Sequence, residues 1–184
     1  MTKVIISVLG KDRPGIVAAV SRVLFERDCN IENVSQTILQ TEFAGIFIAG
    51  MPAGVTAENL HQGLTAGLAD FKMYVQVKPL AENGSPAPPP VAEPFVITTS
   101  GPDAKGLVAR ITAVIARYQV NVTNLQAVFK GGSEPGDNIM IYEVDVPTHI
   151  DQQRFRQDLQ DQAAALGLRL TIQHRDIFSA MNRI

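Results

Sequence analysis

The chain has few of the residues on which several common kinds of protein depend. Its 184 residues include one cysteine, Cys29, and no tryptophan. One cysteine excludes an internal disulfide framework and suits a reducing compartment. No apolar run approaches the roughly 18 residues that span a bilayer, and the first residues lead into a strand-like run without the layout of a signal peptide. We therefore expect a soluble cytoplasmic protein.

An excess of charge of one sign is also absent. The chain carries 16 lysines and arginines against 18 acidic residues, a net charge of −2. The balance holds along the chain, with 7 basic and 7 acidic residues in 1–80 and 9 and 11 in 81–184. A protein that binds nucleic acid directly, or docks on an anionic membrane, needs a basic surface. We expect neither as a partner.

What the chain does contain is an internal repeat. The motif Gly-x-Asp-x-x-Gly-(Ile/Leu)-Val occurs at Gly10 and again at Gly101, an offset of 91 residues. Held without gaps over residues 10–34, this offset gives 8 identities in 25 positions, where composition alone would give roughly one or two. A period this long indicates a duplicated domain.

A proline-rich segment separates the two copies. It contains four prolines within residues 81–93, which favour an extended polyproline conformation. We predict a first domain over 1–80, a linker over 81–93 and a second domain over 94–184 that ends in a short tail. The linker is either a spacer or a docking segment for a partner.

Hydrophobic periodicity predicts the same order of elements in each copy, β-α-β-β-α-β. The first copy has predicted strands at 3–9, 30–40, 43–51 and 71–78, and helices at 14–27 and after a capping Thr56. The second has strands at 95–100, 120–130, 138–146 and 168–175, and helices at 105–118 and from Asp151. Two helices cover one face of a four-stranded sheet, so its other face or an edge requires a partner.

The repeated turn between the first strand and first helix is a candidate anion site. Gly15 and Ile16, with Gly106 and Leu107 in the second copy, would present unpaired amides at a positive helix end. The alternative is that the glycines only form a tight turn while Asp12 caps the helix. The spacing is neither that of a P-loop nor that of a dinucleotide fingerprint.

A second recurrent feature is an asparagine at the start of the second strand, Asn30 and Asn121. Its amide could accept a hydrogen bond from an ammonium group or donate one to a carboxylate. A single asparagine is commonly just a turn residue. Together with the turn amides, however, the pair describes a small site for a zwitterion.

The element order, the sequence Asp12-Arg13-Pro14-Gly15-Ile16-Val17 and the Asn30-Ile31 strand start resemble the ACT domain, an amino-acid-binding regulatory module. The resemblance covers about residues 1–80 and 94–176 and implies an α+β architecture of two ferredoxin-like βαββαβ domains, each an antiparallel four-stranded sheet with two helices on one face. It further implies a ligand held where ACT domains meet, by Asp12, Gly15, Ile16, Asn30, Asp103, Gly106, Leu107 and Asn121. Ala104 and Lys105 replace Arg13 and Pro14 in the second copy.

Two ACT domains that fill nearly the whole chain resemble the glycine cleavage system transcriptional repressor group. That resemblance implies a small amino acid as ligand, glycine or serine, and a regulator that pairs through its ACT domains as a homodimer. It would act on a protein partner such as a transcriptional activator, without touching DNA. The alternative is an interaction module whose ligand sites are vestigial.

Residues that could support catalysis or metal binding are scattered. Cys29 has no base nearby in sequence, and its counterpart Val120 indicates a buried structural position. The three histidines lack metal-ligand spacing. Residues 131–138 read as a hairpin loop, or as a loop that contacts a partner, and Asp158 and Asp161 as solvated. We expect no enzyme activity, metal or cofactor; a small enzyme using Asp12 or Cys29 is a third possibility.

Overall fold

A computed structural model describes residues 2–80, 91–129 and 138–177. Its backbone contacts divide the chain into two compact units, Met1–Pro86 and Ala87–Ile184. Residues 81–90 of the predicted linker, and nearly all of the predicted loop at 131–138, lie outside the described residues. The exact domain limits therefore remain a proposal, and each unit is described by itself.

The first unit has the predicted order of elements. Its strands are β1 (Thr2–Lys11), β2 (Asn30–Leu39), β3 (Glu42–Met51) and β4 (Tyr74–Pro79), and its helices are α1 (Ile16–Phe25) and α2 (Ala57–Gly67). The strands form one antiparallel sheet in the order β2-β3-β1-β4. Alternate residues of β1 (Val4, Ile6, Val8) point into a core closed by both helices, which lie on one face. β2 is an edge strand and is exposed along nearly its whole length.

The second unit repeats this architecture. Its strands are β5 (Ala92–Gly101), β6 (Asn121–Phe129), β7 (Asn138–Pro147) and β8 (Arg169–His174), in the order β6-β7-β5-β8, and its helices are α3 (Leu107–Arg117) and α4 (Gln152–Ala165). Both units share a register shift near the start of the edge strand, between Ile31 and Asn33 and between Val122 and Asn124. The predicted tandem ferredoxin-like fold is confirmed.

Helix α2 packs closely against α1, as its glycines predict. A Cβ placed on Gly67 would overlap the Val23 side chain, and one placed on Gly63 would overlap the Arg27 guanidinium. Thr56 caps α2 by accepting a hydrogen bond from the Asn59 amide, 3.1 Å away, as predicted. These contacts hold α1, and with it the turn that precedes it, in a fixed place over the sheet.

The structure corrects one predicted strand. Alternating apolar residues predicted a strand that begins at Phe71, but residues Ala69–Phe71 form a short 3₁₀ helix and β4 begins only at Tyr74. Lys72 takes a left-handed conformation (φ 54°), which breaks the extended run. From Met73 to Lys78 the predicted alternation of half-buried and exposed residues is correct. In the part of the chain that the structure describes, no helix has the length and apolar content needed to cross a membrane.

Candidate functional site

The turn between β1 and α1, residues 12–15 (the first turn), ends in a left-handed glycine. Gly15 has φ 98° and is the N-cap of α1, with no side-chain hydrogen bond to the helix amides. The Ala19 amide donates to the Gly15 carbonyl at 2.9 Å and so begins the helical ladder. The amides of the first helical residues have no intrahelical acceptor, because none precedes them. The alternative in which Asp12 caps α1 is therefore wrong.

The turn between β5 and α3, residues 103–106 (the second turn), has the same backbone form. Gly106 has φ 85° and is the N-cap of α3, again without a side-chain cap. Ile16 and Leu107, the first residues of the two helices, are buried. Their side chains anchor the two helices in the cores of the two units.

Two residues, Asp12 and Arg13, attach the first turn to its surroundings. The Asp12 amide donates to the Thr41 carbonyl, at the tip of the β2–β3 hairpin, at 2.8 Å. The Arg13 Nη2 atom donates to the Phe71 carbonyl at 3.0 Å and to the Asp70 carbonyl at 3.3 Å. The same guanidinium lies 5.8 Å from the centroid of the Phe71 ring. The Asp12 side chain is half-buried, whereas its counterpart Asp103 is exposed.

Each turn borders an open pocket, but the two pockets differ in chemistry. The first, about 310 Å³, is lined by Gly15, Ala18, Ala19, Arg22 and Phe71. The second, about 450 Å³, is lined by Asp103, Ala104, Gly106, Leu107, Val108 and Ala109. The Arg22 guanidinium lines the first pocket, whereas the corresponding residue of the second copy is Ala113. The second pocket is lined instead by the Asp103 carboxylate. The two copies therefore present different charge to a ligand.

Asn30 and Asn121 are exposed, but each lies at the far end of its unit from the turn. Asn30 pairs with Gly50, which pairs with Lys3, whereas Gly10, next to the turn, pairs with Phe43. Lys3 and Gly10 are seven residues apart on β1, which at about 3.3 Å per residue is roughly 23 Å. Within one unit, the predicted asparagine and the predicted amides do not meet.

The second copy has the same separation. Asn121 pairs with Asp145, which pairs with Pro94, while Gly101 lies next to the turn.

Sequence reasoning missed three features near the first turn, namely the side-chain contacts of Arg13, the ring of Phe71 and the guanidinium of Arg22. The signal for Arg22 was its spacing, since positions 15, 18, 19 and 22 share one stripe of α1.

Two other residues singled out from the sequence can be placed. Cys29 is buried, as predicted, and burial raises the pKa of its thiol. Asp158 is not merely solvated, which corrects the prediction. Its Oδ2 accepts hydrogen bonds from Arg117 at 2.6 Å and from the Tyr118 hydroxyl at 2.7 Å. The latter bond is the main reason why the pKa of Tyr118 is raised.

The left-handed glycines give a testable prediction. Gly15→Ala should lower the free energy of unfolding by about 1–2 kcal/mol, because a Cβ is strained in the left-handed region. Space is not the cause, since a Cβ there would lie 3.6 Å from Phe71 Cζ, an ordinary contact. Urea denaturation measures the loss, and Gly106→Ala should show a similar one. A neutral result for both would contradict the assigned backbone.

Two units of the same ferredoxin-like fold, each with a left-handed glycine at the start of its first helix, define a duplicated α+β module. The ACT-domain family model matches residues 2–78 and again residues 93–173. The chain therefore belongs to the ACT-domain family and contains the domain twice. The resemblance inferred from the sequence is confirmed.

Relatives and solved structures agree with this assignment. The UPF0237 protein of Methanosarcina mazei is 35% identical over 91 residues, covering 49% of this chain and 95% of the relative. The UPF0237 protein of Corynebacterium efficiens is 43% identical over 75 residues, covering 40% of this chain and 84% of the relative.

Two solved structures match over both units. A protein from Galdieria sulphuraria covers 94% of this chain and 98% of its own, with a TM-score of 0.73 and 21% identity. A candidate glycine cleavage system transcriptional repressor covers 94% and 96%, with a TM-score of 0.67 and 18% identity. At these sequence identities the structural similarity shows that both units have this fold, and it does not show a function.

Proposed function

We propose that this chain is a non-enzymatic, cytoplasmic regulator that binds a small amino acid, glycine or serine, and acts through a protein partner such as a transcriptional activator. The observation that carries the proposal is the duplicated turn. Both copies keep a left-handed glycine that leaves helix amides uncapped, and both keep an asparagine at the start of the edge strand. Backbone amides suit a carboxylate, and an asparagine oxygen suits an ammonium group.

The distance between these two features favours a site shared by two copies of the chain. Because they lie roughly 23 Å apart within a unit, a turn can be completed only by an asparagine from elsewhere. Strand β2 is an exposed edge, and even Val34 and Ile38, which point to the helix side, are exposed. If two such edges paired in antiparallel fashion, the start of one β2 would lie beside the end of the other, near its turn. Such pairing in a homodimer would also bury apolar surface.

This geometry gives the ligand a regulatory effect. An amino acid that contacts both chains of such a homodimer stabilises the paired arrangement and shifts the population toward it. A ligand with equal affinity for the paired and unpaired arrangements would shift nothing. A partner that recognises only one arrangement then responds to the amino acid concentration.

Titration calorimetry of the full chain against glycine, serine and the other amino acids tests the proposal. We expect saturable binding, and we expect Asn30→Ala to weaken it more than tenfold, because a hydrogen bond to a charged group contributes about 1.5–3 kcal/mol. Asn121→Ala should have the same effect at any site that Asn121 completes. Asn59→Ala, which removes an exposed asparagine from α2, is the matched control and should bind as the unmodified chain does.

The alternative function is a protein–protein interaction module with vestigial ligand sites, and the exposed β2 edge alone favours it. The two functions differ in their response to amino acids. A regulator should change its sedimentation coefficient or its partner binding when glycine or serine is added, and Asn30→Ala should remove that response. No binding by any amino acid to the folded chain would rule out the regulator and leave the interaction module.

A further inference from the structure

We infer that Arg13 is a positioning residue for the first turn, and that the first copy consequently binds the amino acid more tightly than the second. This inference rests on the proposed function, because it assigns unequal roles to the two ligand sites. Arg13 belongs to the motif that carries the ACT resemblance, but not to the ligand residues that the resemblance implies. Arg13 is not placed in contact with the ligand; it acts on the backbone that would hold the ligand.

Arg13 connects the first turn to the end of the 3₁₀ helix Ala69–Phe71. Its Nη2 donates to the Asp70 and Phe71 carbonyls at 3.3 and 3.0 Å, and its guanidinium carbon stands 5.8 Å from the centroid of the Phe71 ring. Carbonyls at the end of a helix lack intrahelical donors, and an arginine satisfies them well. One side chain thus contacts both the polar end and the aromatic surface of this segment.

The opposite side of the first turn is held independently. The Asp12 amide donates to the Thr41 carbonyl at 2.8 Å, which attaches the turn to the β2–β3 hairpin. The Phe71 ring also lies against the turn, since a Cβ placed on Gly15 would be 3.6 Å from Phe71 Cζ. The amides that follow Gly15 are therefore presented by a segment held on both sides. A binding site that is already ordered loses less conformational entropy when its ligand binds.

The second copy cannot make the Arg13 contact. Ala104 stands at the corresponding position and carries no hydrogen-bond donor in its side chain. Lys105 replaces Pro14, whose ring fixes φ, so the second turn also lacks this backbone restraint. Both differences make the second turn less ordered before binding and lower its affinity relative to the first.

An NMR titration of the full chain with glycine, and separately with L-serine, measures each site directly through the backbone amide signals of Gly15 and Gly106. In the unmodified protein the Gly15 signal should saturate at a lower ligand concentration than the Gly106 signal. Arg13→Ala should raise the Gly15 midpoint about three- to tenfold, the effect of losing one or two weak hydrogen bonds, and leave Gly106 unchanged. Arg13→Lys keeps a hydrogen-bond donor but lacks the planar guanidinium. Its Gly15 midpoint should therefore lie between those of the unmodified chain and Arg13→Ala.

Lys105→Ala is the matched control, because it removes one positive charge from the other turn; it should leave the Gly15 midpoint unchanged. Amide hydrogen exchange without ligand provides a second readout: Arg13→Ala should speed exchange of the Ala19 amide, which donates to the Gly15 carbonyl, while the Ile6 amide in the core keeps its rate. A Gly15 midpoint that Arg13→Ala does not move, or a Gly106 signal that saturates first, would overturn the inference and leave the proposed function intact. No shift at either glycine in the unmodified chain would overturn both.

Discussion

Gly67→Ala should lower the free energy of unfolding of the first unit by about 1–3 kcal/mol, the range measured when methyl groups are forced into packed interiors. Gly67 is the last residue of α2, and an added Cβ would overlap Val23 Cγ2. Val23 is a buried residue of α1 and part of the core, so it cannot move away without disturbing that core. The change would displace α1, and with it the first turn. Urea denaturation followed by circular dichroism measures the loss.

Gly63→Ala is the matched comparison, one helical turn away on the same face of α2. There an added Cβ would overlap the Arg27 guanidinium, which is the far end of a flexible side chain. Arg27 can move aside at the cost of its 3.1 Å hydrogen bond to the Val23 carbonyl. That loss is offset by the helix propensity of alanine, which exceeds that of glycine by about 1 kcal/mol. If both variants lost the same stability, close packing at Gly67 would not be the cause.

The second unit should lose stability steeply above pH 10 because of Tyr142. This residue is fully buried, its hydroxyl donates to Met140 Sδ at 3.2 Å, and burial raises its pKa to about 12. In the unfolded chain the phenol ionises near pH 10. Between pH 10 and pH 12, ionisation of the phenol stabilises the unfolded state but not the folded state. The stabilisation is complete below pH 10 and is lost as the pH rises through 12, by at most about 2.7 kcal/mol.

Tyr142→Phe isolates this effect, since it removes the ionising group and keeps the ring. The free energy of unfolding, measured in urea at pH 8.5 and 11.5, should fall less in Tyr142→Phe than in the unmodified chain. Tyr118, whose pKa is also raised by Asp158, contributes a loss in the same direction to both proteins and cancels in the comparison. Equal pH dependence of the two proteins would show that Tyr142 ionises normally.

Most of the fold could be predicted because the repeat and the hydrophobic periodicity are local patterns. A strand such as β1 alternates buried Val4, Ile6 and Val8 with more exposed residues, and that period of two is visible without any tertiary information. The offset of 91 residues aligns α1 and β2 with α3 and β6, and periodicity predicts the remaining elements of the second copy. The prediction of the strand start at Phe71 was wrong, because alternation continues through a segment that bends at Lys72, and periodicity does not report a left-handed residue.

The candidate site was only partly predictable. Gly15 and Gly106 were placed correctly at the N-terminal ends of the helices, where glycine accepts a positive φ at little cost, but the helices begin at Ile16 and Leu107, two residues after the predicted starts at 14 and 105. The role offered for Asp12 as an alternative, a cap of α1, was wrong, because the left-handed Gly15 itself stands at the capping position. Which other residues complete a ligand site remains a proposal.

By itself the sequence determined two ACT domains, their order of elements, the positions of the glycine turns and the balanced charge, because each of these depends on residues close together in the chain or on simple counts. Only the tertiary structure decided that Asn30 lies roughly 23 Å from the turn it was grouped with, since this follows from the direction and pairing of β1, β2 and β3. It also decided that Arg13 reaches Phe71, 58 residues away in the chain. Contacts between distant residues depend on how the chain folds back on itself, and no local pattern records them.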